Sequence, residues 1–150
     1  GNINSPCLGD YRRPKGRFPG CGGACDAASQ AFGVIIFMQQ EKKRFVEKVD
    51  YLSSVGWLHG GDSRHRAGYA RGGPMAVVTH LGVMKFEAES KRMYLSEYYP
   101  GVTPAQVAEN TGFALDVSHA KEAVPPSAEE LTILRQDVDP QRLILGPMAE

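Results

Sequence analysis

Charge of one sign is missing from this 150-residue chain: 17 Lys and Arg stand against 17 Asp and Glu, and four histidines leave the formal charge at zero. Without a net positive field the chain lacks the electrostatic footprint on which general binding to nucleic acid or to anionic membranes rests. Cysteine is scarce as well. Cys7, Cys21 and Cys25 are an odd number, which argues against a disulfide scaffold and suits a reducing cytoplasm. Long hydrophobic runs are absent too: the longest apolar-rich stretch, Ala31–Met38, falls far short of the ~18 residues that a bilayer-spanning helix needs. No signal-peptide pattern heads the chain, so a cytoplasmic protein outside the membrane is the expectation.

What is present is ordinary globular composition, 42% hydrophobic and 23% charged, at a length that suits a single domain over residues 1–150. Twelve of the 17 glycines and four of the ten prolines fall in residues 1–23 and 56–74, which marks two loop regions on either side of the most apolar segment. Residues 1–19 carry three prolines and four basic residues, Arg12, Arg13, Lys15 and Arg17, and read as an irregular polar loop. Residues 24–32 are alanine-rich and predict a short helix. Val34–Met38 is β-branched and aromatic without alternation, the mark of a strand buried on both faces. Arg44–Val49 alternates and predicts a second strand. Further strands are expected at Met75–Thr79, Gly82–Phe86, Arg92–Glu97 and Phe113–Val117, with Glu87–Lys91 as a hairpin connection.

Two helix starts carry capping boxes. In Thr103-Pro104-Ala105-Gln106 the threonine accepts from a free backbone N–H and proline sits where no N–H is missed. Val102 and Val107 stand at the positions of a hydrophobic staple, and Gly112 is placed to end the helix. Ser127-Ala128-Glu129-Glu130 opens the second helix, with Leu131, Leu134 and Val138 on one face before Pro140.

The sharpest local feature is Gly20-Cys21-Gly22-Gly23-Ala24. Successive glycines let the backbone take positive φ and turn its N–H groups toward an anion or a developing oxyanion. A tight loop-to-helix connection without a ligand is the plain alternative. The dinucleotide-binding pattern fails, because Cys25 stands where Gly or Ala is required. The P-loop fails because Gly-Lys occurs nowhere.

These residues, together with GNINS at 1–5, PGCGGACDAAS at 19–29, FVEKVDY at 45–51, GGPMAVVTHLGVMKFE at 72–87, YPGVTPAQVAENTGF at 99–113 and the terminal SAEELTILRQDVDP, resemble the class I coenzyme A transferases. The resemblance is narrowest to β subunits of the glutaconate CoA-transferase type and keeps its order over nearly the whole chain. It implies an α/β fold, an open sheet with flanking helices, that binds acyl-CoA. In that family a glutamate carboxylate attacks the thioester, giving an acyl anhydride and then a glutamyl-CoA thioester. The loop Gly20, Cys21, Gly22, Gly23, with Ala24 beside it, is implied to lie at the reacting carbonyl and contribute backbone N–H groups. The family's β chain also has a first half upstream of the GNINS turn, where the nucleophilic glutamate lies. Glu41, Glu47, Glu87 and Glu89 do not match its motif, so no catalytic residue is assigned here.

Three functions follow from this reading: a CoA-transferase β-subunit-like domain not catalytic alone, a hydrolase-like relative acting on a CoA thioester, and a non-catalytic assembly or binding module. Coenzyme A as acyl-CoA is the expected ligand, and no metal is expected, since Cys21 and Cys25 with one histidine are not a zinc signature. The expected partner is another copy of the chain or a complementary CoA-transferase subunit, with no nucleic acid and no membrane. A nucleophilic Cys21 lacks a histidine at diagnostic spacing, and two buried free thiols are the simpler reading. Arg64, His65, Arg66 and Arg71 form a basic cluster that reads as a site for CoA phosphates or for the acidic face of a partner chain, or, more simply, as a solvated loop.

Overall fold

The computed structural model describes residues 1–69 and 71–146. Its first stretch is irregular apart from a small antiparallel ribbon, β1 (Cys7–Leu8) with β2 (Gly16–Arg17). Then come α1 (Ala24–Gln30), β3 (Val34–Phe37), the short α2 (Ser63–Arg66), β4 (Pro74–Val78), β5 (Gly82–Phe86) and β6 (Met93–Tyr98). After these follow α3 (Pro104–Glu109), β7 (Lys121–Glu122) and α4 (Ala128–Ile133), which widens into a π-type turn over Leu134–Val138. Strands β3 to β7 lie in one sheet in chain order. The outer pairs, β3–β4 and β6–β7, are parallel and need long crossovers; β4–β5 and β5–β6 are antiparallel. The fold is α/β, an open sheet with flanking helices, and no helix among the described residues is long and apolar enough to cross a membrane.

Register explains the core. Val77 pairs with Met84 and Met84 with Leu95, so three adjacent strands aim one row of side chains at the same face. Phe45 and Val107 complete this buried cluster, with Met84, Leu95 and Val107 wholly out of water. Helix α3 reaches it because its start is fixed locally. The Thr103 hydroxyl accepts from the Gln106 N–H at 3.3 Å, and the Gln106 side chain accepts from the Thr103 N–H at 2.8 Å. Val102 packs against the same cluster, as the staple predicts.

Several strand expectations change. Strand β3 is not buried on both faces: Ile35 is 55% and Phe37 76% exposed, because β3 is an edge and, among the described residues, no layer covers that face. Residues 44–49 form no strand. Arg44 and Phe45 donate their N–H groups to the Glu41 carbonyl, which turns the chain, and only an isolated Val46–Gly112 bridge remains. Residues 113–117 likewise give one bridge, Tyr94–Asp116, while β7 forms further on where the sequence showed no strand pattern. Gly112 does not close α3 through a left-handed conformation. A Cβ there would collide with the Phe45 carbonyl, which the Gly112 N–H meets at 2.6 Å, so close approach is its role.

Candidate functional site

The glycine turn sits where sequence pattern placed it, immediately before α1. Gly20 has φ +104° and Gly22 φ +53°, backbone that side-chain-bearing residues resist. Gly23 is ordinary, at φ −79° and ψ 0°, and acts as the N-cap of α1. The Ala24 N–H closes the turn onto the Cys21 carbonyl at 2.9 Å. Among the described residues the N–H groups of Gly20, Cys21, Gly22 and Gly23 donate to no protein acceptor. A Cβ added to Gly20, Gly22 or Gly23 would meet nothing within 4 Å. Uncommitted backbone donors beside glycines whose side-chain positions are uncrowded are what an incoming oxygen requires.

Both neighbouring thiols are free and half-buried rather than buried. Cys25 donates to the Gly22 carbonyl at 3.4 Å, and its contact with the Cys21 thiol raises its pKa, so it resists becoming a thiolate. Neither of the two best-formed cavities touches the turn. One, of about 370 Å³, lies between the 57–72 loop and the hairpin end, lined by Trp57, Arg64, His65, Tyr69 and Lys91 among others. The other, of about 620 Å³, is lined by Tyr94, Glu97, His119 and Lys121 among others. Behind the turn, α1 has a single buried residue, Ala28.

The basic cluster separates into unlike parts. Arg64 is 2% exposed, so it is not a solvated side chain, and its terminal donors are already taken by the protein. Its guanidinium donates to the carbonyls of Val55, Gly56, Ala28, Ser29 and Arg71 at 2.8 to 3.4 Å. Arg66 is exposed and pairs with Asp62 at 3.1 Å, and Arg71 lies over the Phe32 ring. Among the described residues no group of three or more His, Cys, Asp or Glu could hold a metal ion.

Comparison with known proteins bears on this arrangement. Residues 1–110 match the family model for coenzyme A transferase. The chain belongs to the coenzyme A transferase family. It is 48% identical to the β subunit of glutaconate CoA-transferase from Acidaminococcus fermentans over 93% of its length and 53% of that protein's. It is 43% identical to the β subunit of 3-oxoadipate CoA-transferase from Pseudomonas knackmussii over 90% of this chain and 52% of that protein. The crystal structure of glutaconate coenzyme A-transferase from A. fermentans superposes with a TM-score of 0.91 at 45% identity, covering 99% of this chain and 57% of that one. The chain thus spans about half the length of the relatives it matches.

Within this coenzyme A transferase chain, Arg64 is the residue that sequence reasoning misread. All five of its acceptors are backbone carbonyls, which every residue type carries, so no carboxylate at a telling distance marks the arginine in the sequence. The one available signal was the glycine-rich surround, which allows backbone to crowd close to a guanidinium.

Proposed function

We propose that residues 1–150 are the acyl-CoA-receiving part of a CoA-transferase β chain, working with a complementary subunit, and that they carry no catalytic glutamate. The kinship to two CoA-transferase β subunits supports this reading, and the four uncommitted N–H groups of Gly20–Gly23 are the observation that carries it to a site. The thioester carbonyl oxygen lies against these donors, with Ala24 opening α1 behind them. When a carboxylate attacks that carbonyl, negative charge grows on the oxygen, and donors fixed beforehand stabilise it without reorganising. Cys21 contributes its backbone N–H; its thiol takes no part.

Titration with glutaryl-CoA and a Gly22→Val variant tests the site. Valine at φ +53° is strained and shifts the backbone that aims the donors, and its side chain fills space the glycine leaves open. Binding should weaken about tenfold or more, while the backbone strain lowers the unfolding midpoint by only a few degrees and leaves the protein folded at the assay temperature. Equal affinity for both proteins would remove the turn from the site. Borohydride trapping with acyl-CoA addresses the nucleophile: a glutamate of this chain reduced to an alcohol would show that the carboxylate lies here after all.

A further inference from the structure

We infer that Arg64 is a positioning residue for the glycine turn: by gripping the C-terminal end of α1 it fixes where the other end of that helix presents Gly20–Gly23. This rests on the reading of the turn as the acyl-CoA site. Helix α1 has seven residues, a rod of ~10 Å, so a shift at one end appears undiminished at the other. Within the helix itself, among the described residues, little else holds it. Ala28 is its one buried residue, and no carboxylate or hydroxyl caps its first turn from Gly23. Its last carbonyls are the groups a helix leaves unpaired, and Arg64 takes two of them, Ala28 at 2.8 Å and Ser29 at 3.4 Å. The same fork reaches Val55 at 3.2 Å, Gly56 at 3.1 Å and Arg71 at 3.1 Å. Three separate segments therefore meet on one planar group whose donors are rigidly spaced. A cation at a helix C-terminus also meets the favourable end of the dipole. Among the described residues the buried arginine has no acidic partner and its Nε no acceptor. A burial this costly for one charge is tolerated where its hydrogen bonds are many and directional.

The experiment compares wild type with Arg64→Ala and Arg64→Lys, each with and without ethylguanidinium. Amide exchange is read at Gly22–Ala31 and at Val77, Met84 and Leu95, alongside affinity for glutaryl-CoA. In Arg64→Ala, exchange at Gly22–Ala31 should rise about tenfold or more with the strand amides unchanged, and glutaryl-CoA affinity should fall about tenfold. Ethylguanidinium should restore both. Lysine keeps the charge but cannot span three segments, so Arg64→Lys should show the same local loosening, and it carries the test if the alanine variant fails to fold. Unchanged exchange at Gly22–Ala31 would overturn the inference. So would loosening spread evenly over the core strands and insensitive to ethylguanidinium, which would make Arg64 a general packing residue. If wild type does not bind glutaryl-CoA, the acyl-CoA reading fails, and local exchange with its rescue still decides whether Arg64 sets the turn.

Discussion

At Gln40 a single buried amide joins three parts of the molecule that are far apart in the chain. Its Nε2 donates to the Val107 carbonyl at 3.3 Å and the Thr111 hydroxyl at 3.0 Å, and its Oε1 accepts from the Thr79 hydroxyl at 2.8 Å. Thr79 in turn accepts from the N–H groups of Leu81 and Gly82, shaping the β4–β5 turn. The two ends of this network differ in what their loss leaves behind. In Gln40→Met the Thr111 hydroxyl keeps the Val107 carbonyl and the Thr79 hydroxyl turns fully to the Gly82 carbonyl, so about 1 kcal/mol is lost. In Thr79→Val the Gln40 oxygen and two backbone donors lose partners in the interior, at ~1–3 kcal/mol for each buried orphan. Urea unfolding should therefore rank Thr79→Val as the less stable variant, at an unchanged slope; the reverse order would show that the amide matters more than the hydroxyl. None of this was legible in the sequence, where the partners stand 39 to 71 residues apart. The same holds for Arg64. Gly22 was legible because its reason is local backbone conformation, whereas Gly23, expected to share it, keeps ordinary backbone and Gly20 takes the second positive φ instead.

Helix starts, whose causes are local, were read correctly, whereas Gly112 as a helix stop and the strands decided by their neighbours were not. Both capping boxes form as written: Ser127 accepts from the Glu130 N–H at 3.2 Å, and Glu130 accepts from the Ser127 N–H at 2.7 Å. Strand β5 falls on the expected residues, since its hairpins are fixed by adjacent turns. Residues 44–49 had a strand pattern but no strand to pair with, and β7 had a partner in β6 without a pattern of its own. The last turns of the chain depend on one carboxylate. Asp139 accepts from the N–H groups of Leu145 at 2.8 Å, Ile144 at 3.0 Å and Leu143 at 2.8 Å. These bonds, Leu145's foremost, hold its pKa below the usual carboxylate range. Fewer protons are bound in the ordered state, so this order is complete above the ordinary value of ~3.9 and is lost as pH falls through the lowered one. Amide shifts of Leu143, Ile144 and Leu145 should titrate together with a midpoint under the usual range. A midpoint at or above it would mean that the three bonds do not form in solution.

Across the whole sheet the two faces differ in kind, and this sets how the chain behaves in water. One face carries the Val77–Met84–Leu95 row under α3. On the other, Ile35 and Phe37 of edge strand β3 stand in register with Ala76 and Val78, and the surface becomes charged only further on, at the Lys85–Glu97 pair, 3.8 Å apart. An edge strand with an exposed apolar face is a template for another chain. Burying Ile35 and Phe37 fully would contribute roughly 1.5–3 kcal/mol each. A symmetric pair of copies brings four such side chains together, comparable with the ~4–15 kcal/mol that association costs. The balance is close, so self-association of the isolated chain should be weak and dependent on concentration. Light scattering over the micromolar range should give a mass that rises above that of one chain, and Phe37→Lys should return it to one chain at every concentration by placing a charge at the centre of the contact. A constant single-chain mass in wild type, unaltered by Phe37→Lys, would show that water covers this face at no measurable cost to the monomer.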